Sequence, residues 1–303
     1  MIEFHRIGLC DKERYESVLF TEPERGCEYS FANLCLWGRQ EIAYLYGCVA
    51  FFSHFYGKSV YPFPIGPGDK EAVIRDYLQD AARRGIPCRI SGLTSADCLW
   101  LEERFPGKFH IHCNRDSFDY LYTIDALADL RGRKRQKKRN HLNRFQAAHP
   151  DYEVQPLSAD NLEEAKALVD AWFAHRQESD PQGDYLLEKR ALRRAFDRYD
   201  SLGMEGILLR EGSEVLAMTM GSRLSGDTFD IHFEKAREDV DGAYGTINCE
   251  FARYLRLKHP ELRFLNREDD LGLEGLRKAK LSYYPDHLVE KCWAYVTEEI
   301  YED

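Results

Sequence analysis

No apolar run in this 303-residue sequence is long enough to cross a membrane as a helix; the longest, Ile42 to Phe52, has about half the required length. The amino terminus, Met1-Ile-Glu-Phe-His5-Arg6, carries an acid and lacks an apolar stretch, so no secretory signal is read there and a cytoplasmic location is expected. No Cys-x-x-Cys pair occurs among the nine cysteines, which removes zinc and iron–sulfur spacings and predicts reduced, mostly buried thiols. His110 and His112 alternate on one strand, but no carboxylate or third histidine follows at a telling spacing, so no metal is expected. A Walker loop, a dinucleotide fingerprint and a Ser–His–Asp signature are also missing, so no tightly bound cofactor is expected.

What remains is a chain built for ordinary globular cores. Hydrophobic residues make up 44%, charged residues 31% and aromatics 13%, with length enough for two domains or one large one. The net charge of −10 hides an asymmetry: Arg131 to Arg144 holds eight Lys or Arg and no acid, against a balance of −18 for the rest. A surface that acidic does not attract a polyanion by its mean field, so any polyanion is met locally by this segment. The run reads as a helix whose end is docked by Leu142 and Phe145, and the alternative is a solvated basic helix face.

Hydrophobic period and breakers divide the chain into two halves with one order of elements. The first has strands over 41–47, 48–54 and 58–63, a Pro/Gly turn at 62–69, a helix over 70–84, a strand at 88–91, a helix over 95–105, and strands near 109–113 and 118–124. The second has a strand at 152–157, a helix capped by Asp160, a helix over 185–200, and strands at 205–210, 214–224 and 227–235. The loop Asp241-Gly242-Ala-Tyr-Gly245 follows, then a helix over 246–258, a strand at 263–266, a helix over 273–283 and a last strand at 287–296. Three meandering strands, a glycine loop, then helix–strand–helix–strand is an α/β pattern with a mixed sheet, and the loop delivers backbone N–H groups at a helix N-terminus. That layout resembles the GNAT acyltransferase fold.

In the strand Thr228–Lys235, Asp230, His232 and Glu234 fall on one side of a strict alternation. Amine acylation needs a base and a stabiliser for the carbonyl oxyanion, and this face offers Asp230 and Glu234 as amine binder and base. His232 stands beside them. Asn248, one turn into the helix after the glycine loop, is a candidate hydrogen-bond partner for the donor. Arg267-Glu268-Asp269-Asp270 lies just past a strand, where loops present functional groups, and Lys280 shares a helix face with Tyr284. Tyr283 or Tyr284 is a candidate proton donor to the leaving group. Each of these also has a bland reading as a solvated turn or a packing residue.

The strand Thr228–Ala236, the stretch Gly242-Ala-Tyr244-Gly-Thr-Ile-Asn248-Cys-Glu-Phe251, the run Leu265–Leu273 with Arg277-Lys-Ala-Lys280 and Tyr283-Tyr284-Pro285, the Tyr61-Pro-Phe-Pro64 element and the basic run resemble the phosphatidylglycerol lysyltransferase carboxy-terminal-domain-like family, over nearly the whole chain. The resemblance implies an α/β (α+β) chain of two GNAT-like domains in tandem, each a mixed, mainly antiparallel sheet flanked by helices. The boundaries are placed at 1–130 and 151–303, with a basic connecting helix at 131–150. It implies kinship with Fem-type aminoacyltransferases, and transfer of an aminoacyl or acyl group to an amine or hydroxyl of a small molecule, peptide or lipid head group. The co-substrate is aminoacyl-tRNA or acyl-CoA, with tRNA favoured through the basic segment 131–144. Catalysis is then assigned to Asp230, Glu234 and Tyr284, and substrate binding to His232, Asn248, Arg267, Glu268 and Lys280. The donor's phosphates or tRNA fall to Lys134, Arg135, Lys137, Lys138, Arg139, Gly242 and Gly245. Three acids in the loop Arg237–Gly245, and Pro67 in the first half's loop, count against a pyrophosphate. The absence of a large membrane domain counts against lipid lysylation. A non-catalytic GNAT-like binding module stands as the alternative, and oligomeric state is left open.

Overall fold

Strand and helix boundaries follow local chemistry. Asp69 caps its helix by accepting the Ala72 N–H, and Gly85 ends it in the left-handed region. Thr94 and Asp97 form a reciprocal capping box at the next helix. The structure, a computed structural model, describes residues 1–37, 39–55, 57–180 and 185–297.

Up to residue 119 the chain runs β1 (His5–Arg6), α1 (Lys12–Leu19), α2 (Phe31–Leu36), β2 (Arg39–Leu45), β3 (Cys48–Phe55), β4 (Lys58–Pro62), α3 (Lys70–Arg84), β5 (Arg89–Leu93), α4 (Ser95–Arg104) and β6 (Phe109–Cys113). It continues with β7 (Asp119–Thr123), α5 (Ile124–Asp129), α6 (Gln136–Ala148), β8 (Tyr152–Pro156), α7 (Leu162–Ser179), α8 (Leu186–Asp197), α9 (Tyr199–Leu202), β9 (Glu205–Glu211), β10 (Glu214–Arg223) and β11 (Thr228–Ala236). Last come α10 (Ala243–Lys258), β12 (Phe264–Asn266), α11 (Glu274–Leu281), β13 (His287–Val289) and β14 (Cys292–Val296).

Two compact units result, and neither is a continuous segment. Unit 1 comprises Met1–Asp119, Asp269–Leu273 and the chain from Leu288; unit 2 comprises Tyr120–Glu268 and Glu274–His287. Among the described residues there are two seven-stranded sheets, ordered β1-β2-β3-β4-β5-β14-β6 and β13-β7-β12-β11-β10-β9-β8. A linear division at 130 and 150 has no way to express this exchange, in which β14 enters the first sheet and β7 the second. The single last strand expected over 287–296 is two strands in different sheets, because the chain crosses from one unit to the other between them.

The shared order of elements is present in both units. β2-β3-β4 and β9-β10-β11 are antiparallel meanders, and each is followed by a loop, a helix (α3, α10) and a parallel partner strand (β5 beside β4, β12 beside β11). The core of unit 1 packs Phe52, Tyr61, Phe63, Val73, Tyr77 and Ile90, each fully buried or nearly so. In unit 2, Phe229 meets Phe251 of α10 edge-on at 5.8 Å. Each such buried aromatic contributes roughly 1.5–3 kcal/mol relative to exposure.

Four expectations are corrected. The cap of α7 is Asn161, not Asp160, and its side-chain oxygen accepts the Ser158 N–H. The helix expected over 185–200 divides into α8 and α9, and α10 starts at Ala243, so Gly245 lies inside it. Among the cysteines, Cys113 and Cys292 form a disulfide between the paired strands β6 and β14, across 179 positions that no spacing rule connects. Cys27, Cys48, Cys88 and Cys249 are buried free thiols as expected, whereas Cys10 is exposed.

Candidate active site

A bulge re-aims the strand on which the candidate residues lie. Across β10 and β11, Met220 faces Phe233 and Gly221 faces Ile231, leaving His232 as the extra residue. A Cβ on Gly221 would sit 2.0 Å from the Asp230 carbonyl oxygen, so only glycine admits this approach. Past the bulge the alternation has changed phase. Phe229 and Glu234, five positions apart, both meet α10, through Phe251 and Asn248, while Lys235 reaches Glu188 of α8 and lies 3.6 Å over the Trp172 ring of α7. The single face expected for Asp230, His232 and Glu234 is thereby divided into two clusters.

The first cluster forms where β11 and β12 part. Their parallel pairing ends at Asp230 and Asn266. Beyond it, Arg267 Nη2 donates to Glu234 Oε1 at 3.0 Å, and Asn248 Nδ2 approaches Glu234 Oε2 at 3.4 Å. Burial works against the Arg267 charge, but Glu234 outweighs it and holds the guanidinium above its usual range. The Tyr283 ring lies 5.2 Å from the Arg267 guanidinium carbon and 3.9 Å from Lys138 Nζ. Burial pushes the Tyr283 hydroxyl up to about 12 against the pull of Arg267, so it is a proton donor at neutral pH. Burial, and then the Arg267 charge, lower the Lys138 ammonium. Two atoms here are buried without a hydrogen-bond partner: Arg267 Nη1, a donor, and Asn248 Oδ1, an acceptor. Such groups are rare in native interiors and cost about 1–3 kcal/mol each, so they mark a place for a ligand's own polar groups.

The second cluster holds Asp230, His232, Glu268 and Ser222. Asp230 and His232 have fully buried side chains, so the solvated face allowed by the sequence is excluded. His232 Nδ1 is 3.4 Å from Asp230 Oδ2 and 3.2 Å from Glu268 Oε1, and its Nε2 is 2.8 Å from Ser222 Oγ. Glu268 occupies the left-handed region at φ 54°, held there by its N–H to Asn266 Oδ1 and by its carbonyl, which accepts from Tyr120 N–H and Lys280 Nζ. Lys280 Nζ also bonds the Arg267 carbonyl, so it splints this turn.

The four-residue run 267–270 is dispersed rather than shared. Arg267 and Glu268 serve opposite clusters of unit 2, while Asp270 pairs with Arg115 and Asp269 stands 3.7 Å from Lys291, all in unit 1. Of the two tyrosines, Tyr283 joins Arg267. Tyr284 is exposed, with Lys134 Nζ 5.7 Å over its ring, so it stands outside the Glu234 cluster. Thr123, Lys134, Arg135, Tyr284, Pro285 and Asp286 line a recess of about 250 Å³.

The basic run docks as expected through buried Leu142 and Phe145, but α6 begins only at Gln136. Arg135 donates to the carbonyls of Tyr283 and Tyr284, and Arg139 to those of Leu130 and Gly132, so both are structural ties. Lys134 and Lys137 are exposed. Gly242 caps α10 at φ 85°, and a Cβ there would meet Phe145 of α6 at 3.1 Å. The start of α10 is thus packed against α6. A Cβ on Gly245 would lie 3.5 Å from the Tyr283 hydroxyl.

Unit 1 has a buried charge cluster that sequence reasoning missed. Lys291 Nζ binds Asp119 Oδ1 at 2.6 Å, with Glu28 Oε2 at 3.4 Å and Cys27 Sγ at 3.6 Å, and Cys27 N–H donates to Asp119 Oδ2 at 2.7 Å. No local pattern links residues 27, 119 and 291. His110 and His112, by contrast, are exposed on β6.

Two mixed sheets, each a meander continued by loop, helix and parallel strand, define a tandem GNAT-like fold, and the Glu234–Arg267 cluster sits where the second sheet opens. The sequence profile of the family described as phosphatidylglycerol lysyltransferase, C-terminal, matches residues 21–295, and the chain belongs to that family. A Bacteroides thetaiotaomicron protein of unknown function is 35% identical, with a TM-score of 0.92 over 98% of this chain and all of that one. L-PGS of Bacillus licheniformis shares the fold at 15% identity and a TM-score of 0.68, covering 94% of this chain and 92% of that one. FemX does so at 12% and 0.60, covering 97% of each. An uncharacterised protein of Mycoplasmoides gallisepticum is 24% identical over 206 residues, 67% of this chain but only 63% of that protein's length. Among the described residues, no helix is long and apolar enough to cross a membrane.

Proposed function

We propose that this chain transfers an aminoacyl group from aminoacyl-tRNA to an amine or hydroxyl acceptor, at the Glu234–Arg267 cluster of unit 2. The observation that carries the reading is the buried ion pair with one orphaned donor and one orphaned acceptor, Arg267 Nη1 and Asn248 Oδ1. An acyl ester presents a carbonyl oxygen that becomes an oxyanion on attack, and a fixed guanidinium N–H is suited to that charge. Glu234 takes the proton of the attacking amine or hydroxyl, and Asn248 Oδ1 accepts from an N–H of the aminoacyl group. Tyr283, protonated at neutral pH, returns a proton to the leaving oxygen. Glu268 and Lys280 act on this site through the turn they build, and Asp230 through His232, not by touching substrate.

The start of α10 packs against Phe145 and follows a loop with three acids, which supports tRNA over coenzyme A as the donor. The exposed Lys137 and the exposed Lys134, which lies over the Tyr284 ring, suit a nucleic acid's phosphates and base. That donor places the reaction in the cytoplasm. The test is a thermal-shift titration with coenzyme A, acetyl-CoA and aminoacylated tRNA at about 50 and 300 mM salt, since a ligand of the folded state raises its stability by mass action. A salt-sensitive shift with tRNA alone is expected. A salt-resistant shift with coenzyme A makes the donor an acyl-CoA, and no shift with any of them makes the chain a binding module. Replacing Lys134 and Lys137 together by Gln is expected to lower the log–log salt slope of tRNA binding by about 1.5. An unchanged slope returns the segment to a solvated surface.

A further inference from the structure

We propose that Asp230, His232 and Glu268 form a site for one divalent first-row cation, of the manganese or zinc kind, with Ser222 as its outer support. One imidazole nitrogen and two carboxylate oxygens, from three side chains, lie within 4.8 Å of one another. Two ligands held about 2.1 Å from one cation at tetrahedral or octahedral angles stand roughly 3.0–3.4 Å apart. The distances from His232 Nδ1 to Glu268 Oε1 and Asp230 Oδ2, 3.2 and 3.4 Å, are of that size. A charge-assisted N–H···O bond is shorter, about 2.7–2.9 Å, and a single Nδ1 proton serves only one of the two carboxylates well.

The other ring nitrogen makes the independent case. In the tautomer whose Nε2–H donates to Ser222 Oγ, 2.8 Å away, the Nδ1 lone pair faces both carboxylates, an arrangement a cation at Nδ1 makes favourable. Metal-bound histidines are held in this way, by a fixed partner on the nitrogen away from the metal. Access is by Glu268, whose side chain is 23% exposed while the other two are closed off. The bulge at His232 and the left-handed backbone of Glu268 both aim side chains at this point. Three protein ligands leave positions for water, and a mixed nitrogen–oxygen set suits zinc or manganese. This departs from the sequence reading, which expects no metal, because two ligands share strand β11 while the third comes from the turn after β12, at no recognisable spacing.

Mn²⁺ is the probe, since the protein's free thiols hold it poorly. The full chain, freed of metal by chelator and dialysis, is titrated with Mn²⁺ by electron paramagnetic resonance, and Zn²⁺ is then tested as competitor. One saturable Mn²⁺ per chain, displaced by Zn²⁺, is expected. Glu268→Gln and Ser222→Ala, checked for folding by circular dichroism, are each expected to weaken it about tenfold or more. A wild-type chain that leaves both ions unbound overturns the proposal, and so does Mn²⁺ binding that is equally tight in both variants. Either result stands apart from the donor titration above, which reads tRNA and coenzyme A.

Discussion

Glu234→Gln and Arg267→Met are each expected to abolish the proposed transfer and destabilise unit 2, whereas the double variant is expected to fold nearly as well as the wild type and stay inactive. The two side chains are largely removed from water together, with 14% and 13% of their surface exposed, and removing one leaves the other uncompensated, which costs up to about 3–5 kcal/mol for such a pair. Removing both takes away the charge as well as the attraction, so most of the lost stability returns. Activity is not expected to follow, because in the proposed reaction the double variant has no base for the acceptor's proton and no guanidinium for the oxyanion. Loss of a general base alone lowers rates by about 10²–10⁴. Chemical denaturation and single-turnover transfer, measured on all four proteins, separate the two effects. A double variant that recovers activity along with stability would reduce the pair to a structural contact and sink the proposed chemistry.

Much of this site was legible in the sequence and its arrangement was not. The meeting of Glu234, Asn248 and Arg267 in one cluster is seen only in the structure. Each can be singled out in the sequence because strand alternation, the glycine loop and the strand end have local signatures. The bulge does not: nothing around Ile231-His232-Phe233 marks an extra residue, and one slip of phase is enough to send Asp230 and Glu234 to different clusters. That Tyr283 and not Tyr284 stands beside Arg267 is hidden for a similar reason. Tyr284 takes a left-handed backbone at φ 57°, which turns its ring outward, and helical spacing from Lys280 cannot anticipate that. The meander–helix–strand order was readable in both halves because each step is local. The exchange of β7 and β14 between sheets, and the pairing of Cys113 with Cys292, are long-range events that no window reports.

Lys291→Met is expected to destabilise unit 1 by about 3–5 kcal/mol, more than any surface substitution, although residue 291 lies outside every motif. Burial opposes the Lys291 charge, yet Asp119 first, then Cys27, Glu28 and Asp269, raise its pKa well above the ordinary lysine value. A raised lysine pKa gives stability that is fully present below the unfolded-state value near 10.4 and is lost only as pH climbs through the folded-state value. The wild type therefore holds this contribution across the neutral range, and the variant lacks it there. Burial already pushes the Glu28 carboxyl up, and Lys291 is the largest influence holding it down. Without Lys291, Glu28 takes up a proton more readily, and a carboxyl whose folded pKa is raised gains stability as pH falls. The deficit at pH 8 should therefore shrink towards pH 5. Asp119→Asn added to Lys291→Met should also recover part of the loss, since the amide oxygen still accepts the Cys27 N–H without an uncompensated charge. Urea denaturation of the wild type and the two variants across that pH range is the measurement. A Lys291→Met deficit below about 1 kcal/mol, or one that grows on acidification, would mean that the ammonium is not what neutralises this cluster.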